Sequence, residues 1–499
     1  PPPAPLPPTE PPGKQQRENP VAEADAAEQT PQAAPNPANQ ETNAEAEARL
    51  PDVDVRQEPG DIGQSSDALK SDGPSTIAPA PPPAADMFPQ AAVPDSAATP
   101  PQQAYAPAPP ADADDALMIA QQIGPPAYSA RRLAERLQLV EREGGSRATE
   151  DAVAAGLAWL AAAQSADGRW DASRWSAGRE TRTLGQNRQG AGARADTGVT
   201  GLALLALMGA GHTHTEGPYA ENIRAGLAFL LATQTADGSL AGDAAPFSQT
   251  YCHSMAAFAL AEALATTQDG RLAAGVRRAV DHLVDRQDRA GGGWRYKPGA
   301  EGDMSQMGWV IMALRSAELA GVDAPPTVWS SIERFVRATR RGQAGGLACY
   351  QRTGPVSRTM TAESLYCRQI LGWRVAGTAA ADEAVSSLVS AVPGSGRANL
   401  YFWYYAGLAL HHNRGANRTA RHAWTHWNAA MTRTLTASQT AAGPDAGSWS
   451  PDTVWGGYGG RVYSTALATM CLEVYYRYDA SAVARDPWIA SRSPAGRFR

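Results

Sequence analysis

Cysteine is scarce in this chain: four residues, Cys252, Cys349, Cys367 and Cys471, among 499. They are far apart and set in apolar surroundings, which excludes a dense disulfide framework and reads as small buried hydrophobes. Only a bridge between Cys349 and Cys367 stays open. No stretch reaches the roughly 18 consecutive apolar residues that a membrane helix needs. A Lys/Arg stripe with interleaved aromatics is missing too, so no nucleic-acid partner is expected. None of the 13 tryptophans lies before residue 111, whereas 26 of the 39 prolines do.

That last asymmetry divides the chain. Residues 1–115 hold 5 Lys/Arg against 19 Asp/Glu, a net of −14, while the whole chain has 44 and 50, a net of −6. The remaining residues therefore carry +8. The first part has too few aromatic and β-branched residues to bury the apolar surface that would offset its ordering entropy, so 1–115 is expected to be a disordered, Pro/Ala-rich acidic linker. Its Pro-Pro and Pro-Ala-Pro runs favour extended, semi-rigid segments. A spacer of this kind behind Pro1 suits a domain held off a bacterial envelope by a membrane anchor upstream, which is the expected localisation and the only membrane contact expected.

Helical periodicity begins near residue 116. A lead-in helix within 116–149 ends at Gly144-Gly145. Over 150–480 a unit then repeats six times: an amphipathic helix, a loop with Gln, Asp, Gly and often Trp, then an Ala/Leu-rich helix. The units run Ala152–Leu160 with Thr197–Leu207, Ile223–Leu231 with Tyr251–Leu264, and Leu272–Arg286 with Met304–Leu319. Val328–Thr339 with Thr361–Leu371, Ala381–Val392 with Leu400–His411, and Ala423–Ser438 with Tyr463–Tyr478 complete them. Residues 481–499 form a C-terminal tail. Regular self-similarity means that each unit buries its face against its neighbours. The second helix of each unit is apolar all round, hence buried on every side. The expected fold is all-α, an (α/α)6 double-ring toroid with six inner and six outer helices. In the loops, Gln is expected to bond free carbonyls at the end of its helix, Asp-Gly to turn the chain, and Trp to cover the junction and place its N–H.

Gln164, Gly168 and Trp170 fit a Q-x3-G-x-W element, with looser copies at Gln234, Gln287 and Gln439. On these residues the chain resembles the squalene and terpenoid cyclases and the protein prenyltransferase β subunits, a prenyltransferase/squalene-cyclase repeat, over about 150–478. The resemblance implies the toroid and a central cavity. It does not carry the catalytic motifs. Those cyclases protonate an alkene with the middle Asp of D-x-D-D, an acid held protonated in an apolar cavity. Here that pattern occurs only at Asp112-Ala113-Asp114-Asp115, inside the acidic linker. The prenyltransferases hold zinc through a D-x-C setting and a His on the last inner helix. No D-x-C occurs, and Tyr463-Ser464-Thr465 stands where they carry Tyr-His-Thr. Cys252-His253, His212 with His214, and His411-His412 read as core, loop and helix-end residues respectively, so neither metal nor cofactor is expected.

What remains are the starts of the inner helices. Asp196, Asp303 and Glu363 are the candidate catalytic acids. Tyr251, His253, Gln306, Tyr401, Trp403, Tyr404 and Tyr463 are the candidate ligand-binding residues. In register these ring one mouth of the cavity. The alternative for the acids is N-capping by Asp196 and Asp303. The function expected is a toroid binding an apolar isoprenoid, peptide or glycan in or at the mouth of its cavity, without known cyclase or prenyltransferase activity. Two alternatives are a divergent cyclase-like enzyme with isomerase or lyase chemistry, in which aromatic faces steady carbocations, and a carbohydrate-active enzyme with two facing carboxylates.

Overall fold

The computed structural model describes residues 125–132, 134–179, 190–297 and 300–478. The linker with its D-x-D-D run at 112–115, and the tail at 481–499, lie outside the described residues.

A short 3₁₀ turn, Pro126–Arg132, and helix α1, Arg136–Glu143, lead in. Six outer helices follow: α2 (Arg147–Ala163), α4 (Ala220–Thr233), α6 (Gly270–Arg286), α8 (Pro326–Ala338), α10 (Ala379–Val389) and α12 (Arg418–Ser438). They alternate with six inner ones: α3 (Asp196–Gly209), α5 (Gln249–Thr267), α7 (Met304–Leu319), α9 (Arg358–Ile370), α11 (Leu400–Asn413) and α13 (Gly456–Leu472). A last turn, α14, spans Val474–Arg477. Each inner helix packs on the next, and α13 packs back on α3, which closes the ring. All residues from 197 to 209 in α3 and from 252 to 266 in α5 are buried, as all-round apolar helices require. Outer helix α8 buries only Val328, Trp329, Ile332, Phe335 and Val336, one stripe at helical spacing. The toroid expected from the repeat is the fold observed.

The joints between units follow one hydrogen-bond pattern. Gln164 Nε2 donates to Gly168 O at 2.8 Å and to Asn222 O, on the next outer helix, at 2.9 Å. Gln234 reaches Gly238 O and Gly275 O, and Gln287 reaches Gly292 O and Val328 O. Gln439 reaches Gly447 O at 2.8 Å and, across the ring closure, Ala152 O at 2.8 Å. The Gln amide therefore staples neighbouring units rather than capping its own helix, a correction to the sequence reading. The loop glycine has positive φ, +88° at Gly168 and +93° at Gly292, and a Cβ there would lie 2.2 and 2.1 Å from carbonyls of the next outer helix. The Trp N–H does cap its own helix: Trp170, Trp294 and Trp449 donate to Leu160 O, Leu283 O and Leu435 O at 2.7–2.9 Å. At the fourth joint the direction reverses. Glu383 of α10 reaches back and accepts from the N–H groups of Gln343, Ala344 and Gly346. There the loop also forms a small antiparallel sheet, β1 (Arg340–Arg341), β2 (Leu347–Cys349) and β3 (Val356–Ser357), which the repeat pattern did not announce.

All inner helices point the same way, so their C-termini gather at one end. The lead-in plugs it. Buried Arg131 donates to Glu262 Oε1 and Oε2 at 2.8 and 3.2 Å and to Arg477 O at 2.9 Å, while Arg136 donates to Ala210 O at 2.6 Å. Cations at helix C-termini satisfy free carbonyls and oppose the helix dipoles. Glu143, at the end of α1, meets His411 at 3.8 Å and Arg414 at 2.6 Å. His411 and His412 are not helix-end cations. Burial lowers both, His412 to about 3, and Arg414 caps His411 O instead. His214 is likewise buried against Asp269 at 2.9 Å rather than exposed in its loop. All four cysteines are buried and free, so Cys349 and Cys367 are not bridged. Among the described residues no helix is long and apolar enough to cross a membrane.

Buried Gln287 serves two carbonyls, so Gln287→Ala should lower stability by about 1–3 kcal/mol, measured as the shift in chemical-denaturation midpoint. His411 and Arg414 hold the Glu143 carboxyl down at about 2 against its ordinary 4.5. A folded value below the unfolded one stabilises above about pH 4.5 and loses that contribution as pH falls toward 2. Glu143→Gln should flatten the acid limb of stability over that window in thermal melts at stepped pH.

Candidate ligand site

The N-terminal turns of the inner helices gather at the other end and surround a cavity of about 180 Å³. Its wall is aromatic. Phe247 lies just before α5 and Tyr251 in its first turn, Tyr296 and Tyr350 come from loops, Trp309 from α7, Tyr401 from α11, Trp455 from just before α13, and Tyr458 and Tyr463 from α13. Ala195 just before α3 and Gly198, Val199 and Leu202 within it complete it with small apolar surface.

Part of the wall depends on a break in α13. Gly460 has φ 72° and ψ −166°, and a Cβ there would lie 2.4 Å from Trp175 O. Only glycine takes this conformation readily. The break turns residues 456–459 across the mouth, pinned by Arg179 N–H to Gly457 O at 3.0 Å and Arg461 N–H to Trp175 O at 2.7 Å. Tyr458 and Gly459 thereby join the lining.

The hydroxyls of Tyr251, Tyr296, Ser305, Tyr350 and Tyr401 are engaged with the protein itself, whereas the indole N–H groups of Trp309 and Trp455 have no hydrogen-bond partner among the described residues. Tyr251 Oη bonds Ser305 Oγ, which donates to Asp303 Oδ1 at 2.6 Å. Arg295 Nη1 donates to Asp303 Oδ2 at 2.8 Å and to Tyr350 Oη at 3.2 Å, and Tyr350 and Tyr296 share a bond of 2.9 Å. Tyr401 Oη lies 2.6 Å from Glu363 Oε2 and 2.7 Å from Ser305 O, while Glu363 Oε1 accepts from Gly308 N–H at 2.7 Å. Asp303 and Glu363 are both fully buried. Burial pushes the Asp303 carboxyl up and the Arg295 guanidinium offsets part of this. Burial also raises the phenols of Tyr251, Tyr350 and Tyr401 well above their ordinary value, so they stay protonated donors.

The residues singled out from the sequence fall into three groups. Tyr251, Tyr401 and Tyr463 line the cavity. Asp303 and Glu363 stand one residue behind the wall, bonded to its hydroxyls, and Gln306 Nε2 sits 3.5 Å from Asp303 Oδ2, at the limit of a hydrogen bond. Asp196, His253, Trp403 and Tyr404 serve elsewhere. Asp196 accepts from Ala172 N–H at 2.8 Å and meets Arg169 at 3.2 Å. His253 Nδ1 accepts from Leu240 N–H and its Nε2 lies 3.1 Å from Ala279 O; this latch leaves it neutral, with burial pushing its pKa down to about 3. Thr200, Thr361 and Thr465 perform the same loop latch in other units. Trp403 is buried in the core, and Tyr404 stacks on Trp309 with centroids 5.8 Å apart. Neither carboxylate caps its helix: Ala195 precedes α3, and Asp303 precedes α7 without a side-chain cap bond. Missed by the sequence reading were Phe247, Tyr296, Trp309, Tyr350, Trp455 and Tyr458. Aromatics near the starts of the inner helices, some just ahead of them and some in their first turns, were their only signal. Among the described residues no group of three or more His, Cys, Asp or Glu could hold a metal.

No protein-family model matches this chain, and neither does any curated protein. Solved structures do. An inactive variant of an α-1,6-mannanase of Salegentibacter sp. HEL1_6, in complex with α-1,6-mannotriose, is 10% identical over 66% of this chain and 99% of its own, with a TM-score of 0.44. A variant of a type II terpene cyclase from Scytonema, in complex with geranylgeranyl dihydroxybenzoate, is 13% identical over 67% and 97%, with a TM-score of 0.42. A protein from Actinoplanes is 16% identical over 66% and 99%, with a TM-score of 0.40. Likeness this distant says nothing about chemistry.

Tyr401 bridges α7, α9 and α11 through one hydroxyl. Tyr401→Phe should destabilise the protein by about 1–3 kcal/mol, because Glu363 and Ser305 O lose their shared buried partner; urea denaturation measures it.

Proposed function

We propose that the toroid is a binding module that holds an apolar group, such as the end of an isoprenoid chain, in its central cavity. One observation carries this: the wall is aromatic, and its hydroxyls are largely bonded to one another or to groups behind the wall. An apolar guest leaves these bonds intact, whereas a polar one would have to break them to reach the engaged hydroxyls, although the N–H groups of Trp309 and Trp455 stand without a partner among the described residues. The cavity volume of about 180 Å³ is near the roughly 150 Å³ of a cavity that accepts benzene and below the roughly 300–1,000 Å³ of sites that enclose drug-sized ligands. The opposite end is plugged, so a long chain enters by one end and does not thread through. Farnesol and geranylgeraniol should quench the fluorescence of Trp309 and Trp455 saturably, and Ala195→Trp, which fills the lining, should weaken both by about tenfold or more with melting unchanged. Absence of saturable binding by either alcohol would overturn the reading.

A second reading has one observation behind it. The chain Tyr251–Ser305–Asp303 joins a cavity phenol to a buried carboxyl whose pKa is raised, the arrangement a cyclase-like proton donor would use. Incubation with squalene or geranylgeranyl diphosphate should then give a cyclised product by mass spectrometry that Asp303→Asn abolishes. Unchanged substrate removes this reading and leaves the first. A glycosidase needs two carboxylates facing each other across a cavity, and Asp196, Asp303 and Glu363 all stand outside the lining.

A further inference from the structure

A second cavity, of about 260 Å³, opens at the joint between the second and third units. It lies across the first turns of α5 from the central one: Gln249, Thr250 and His253 face it, whereas Ser248, Tyr251, Cys252 and Met255 face the central cavity.

The internal repeat explains why this space is open. Gln164–Trp170 and Gln234–Leu240 align without a gap. In the first unit the corresponding place is filled by Arg169, whose guanidinium meets Asp167, Asp171 and Asp196 at 3.2–3.3 Å. In the second unit Ser239 replaces Arg169 and Ala241 replaces Asp171. The latch bonds set the register of the inner helices, Trp170 N–H on Thr200 Oγ1 and Leu240 N–H on His253 Nδ1, so Gln249 replaces Asp196. The filling side chain and two of the three carboxylates that hold it are absent; only Asp237, the counterpart of Asp167, remains. Arg286 enters instead from the next outer helix. Among the described residues it makes no hydrogen bond or ion pair.

The lining now mixes a cation, a carboxylate and small polar groups with a narrow apolar edge of Trp294 and Leu283, both otherwise buried in the core. His282 donates Nδ1–H to Asp237 O at 3.1 Å and packs on the ring of His253 at 4.6 Å, so it stays in place as a neutral ring. Thr250 donates its proton to Arg295 O and keeps lone pairs to accept. A wholly apolar guest would strip water from Arg286 and Asp237 without replacing it. A phosphate would face the Asp237 carboxylate. A metal finds no three-ligand cluster. A rigid ring with several hydroxyls and apolar C–H groups satisfies both kinds of lining, the hydroxyls on Arg286 and Asp237 and the C–H groups against the apolar edge where the buried Trp294 and Leu283 border the cavity. From this we infer that the joint between the second and third units holds a sugar-binding pocket for one hexose-sized ring, separate from the central cavity.

The test uses the full chain and ligand-observed saturation-transfer NMR with methyl α-mannopyranoside, methyl β-glucopyranoside and N-acetylglucosamine. At least one should give a saturable signal. Ser239→Arg restores the side chain that fills the first unit and should weaken that signal by about tenfold or more, as should Arg286→Ala, which removes the charged donor. Farnesol quenching at the central cavity should be unaltered in both variants, which shows that they are folded; should farnesol not bind even the wild type, melting curves serve the same purpose. No saturable signal from any of the three sugars, or a signal equally strong in Ser239→Arg, overturns the proposal.

Discussion

The structure depends on one small joint: a glutamine amide shared between a loop carbonyl and the next outer helix. Helix pairs of this kind bury too little surface to stand alone, and their inner faces are apolar enough to associate in many registers. The Gln amide, the loop glycine pressed on a neighbouring carbonyl and the Trp N–H on its own helix make that association directional. Each joint sets the rotation of one unit against the next. Four of the six units carry the Gln staple and the fourth loop uses Glu383 in reverse, so these bonds set five of the six steps around the circle.

Closing the circle sorts the inner helices by polarity. Their carbonyl ends converge where Arg131, Arg136, Arg414 and Arg477 meet them, and their amide ends converge around the aromatic cavity. Charge is placed where helix geometry asks for it, and the opposite end is left free for apolar contact. Buried carboxyls near the cavity do not face it. Asp303 is matched by Arg295, and Glu363 is held between Tyr401 and the Gly308 amide, so both act through the hydroxyls in front of them.

The ring of six units was readable because its signals are local: a recurring Gln, Gly and often Trp in the loops, and helices apolar all round. Tyr251, Tyr401 and Tyr463 were readable as mouth residues because they open inner helices. What was not readable depends on rotation and on distant partners. Trp403 and Tyr404 sit two and three positions past Tyr401, and a helix advances about 100° per residue, so both turn away into the core. Nothing local distinguishes His253 from a ligand; its role follows from the loop amide of Leu240, 13 residues before it. Arg131, Glu262 and Arg477 form one buried cluster from three remote parts of the chain. The glycines around Tyr458 precede the helix expected from Tyr463, and their fixed corner comes from Trp175 and Arg179 across the joint.

The bond from Gln439 to Ala152 repeats the bonds between consecutive units. Geometrically, then, the circle has no privileged first unit, although the chain has a first residue. The covalent link between adjacent units and the non-covalent seam between the last and the first are interchangeable in what they ask of the packing. Circular permutation follows as a property of the architecture: the seam could be bridged and the chain opened at another inter-unit loop while every joint kept its partners.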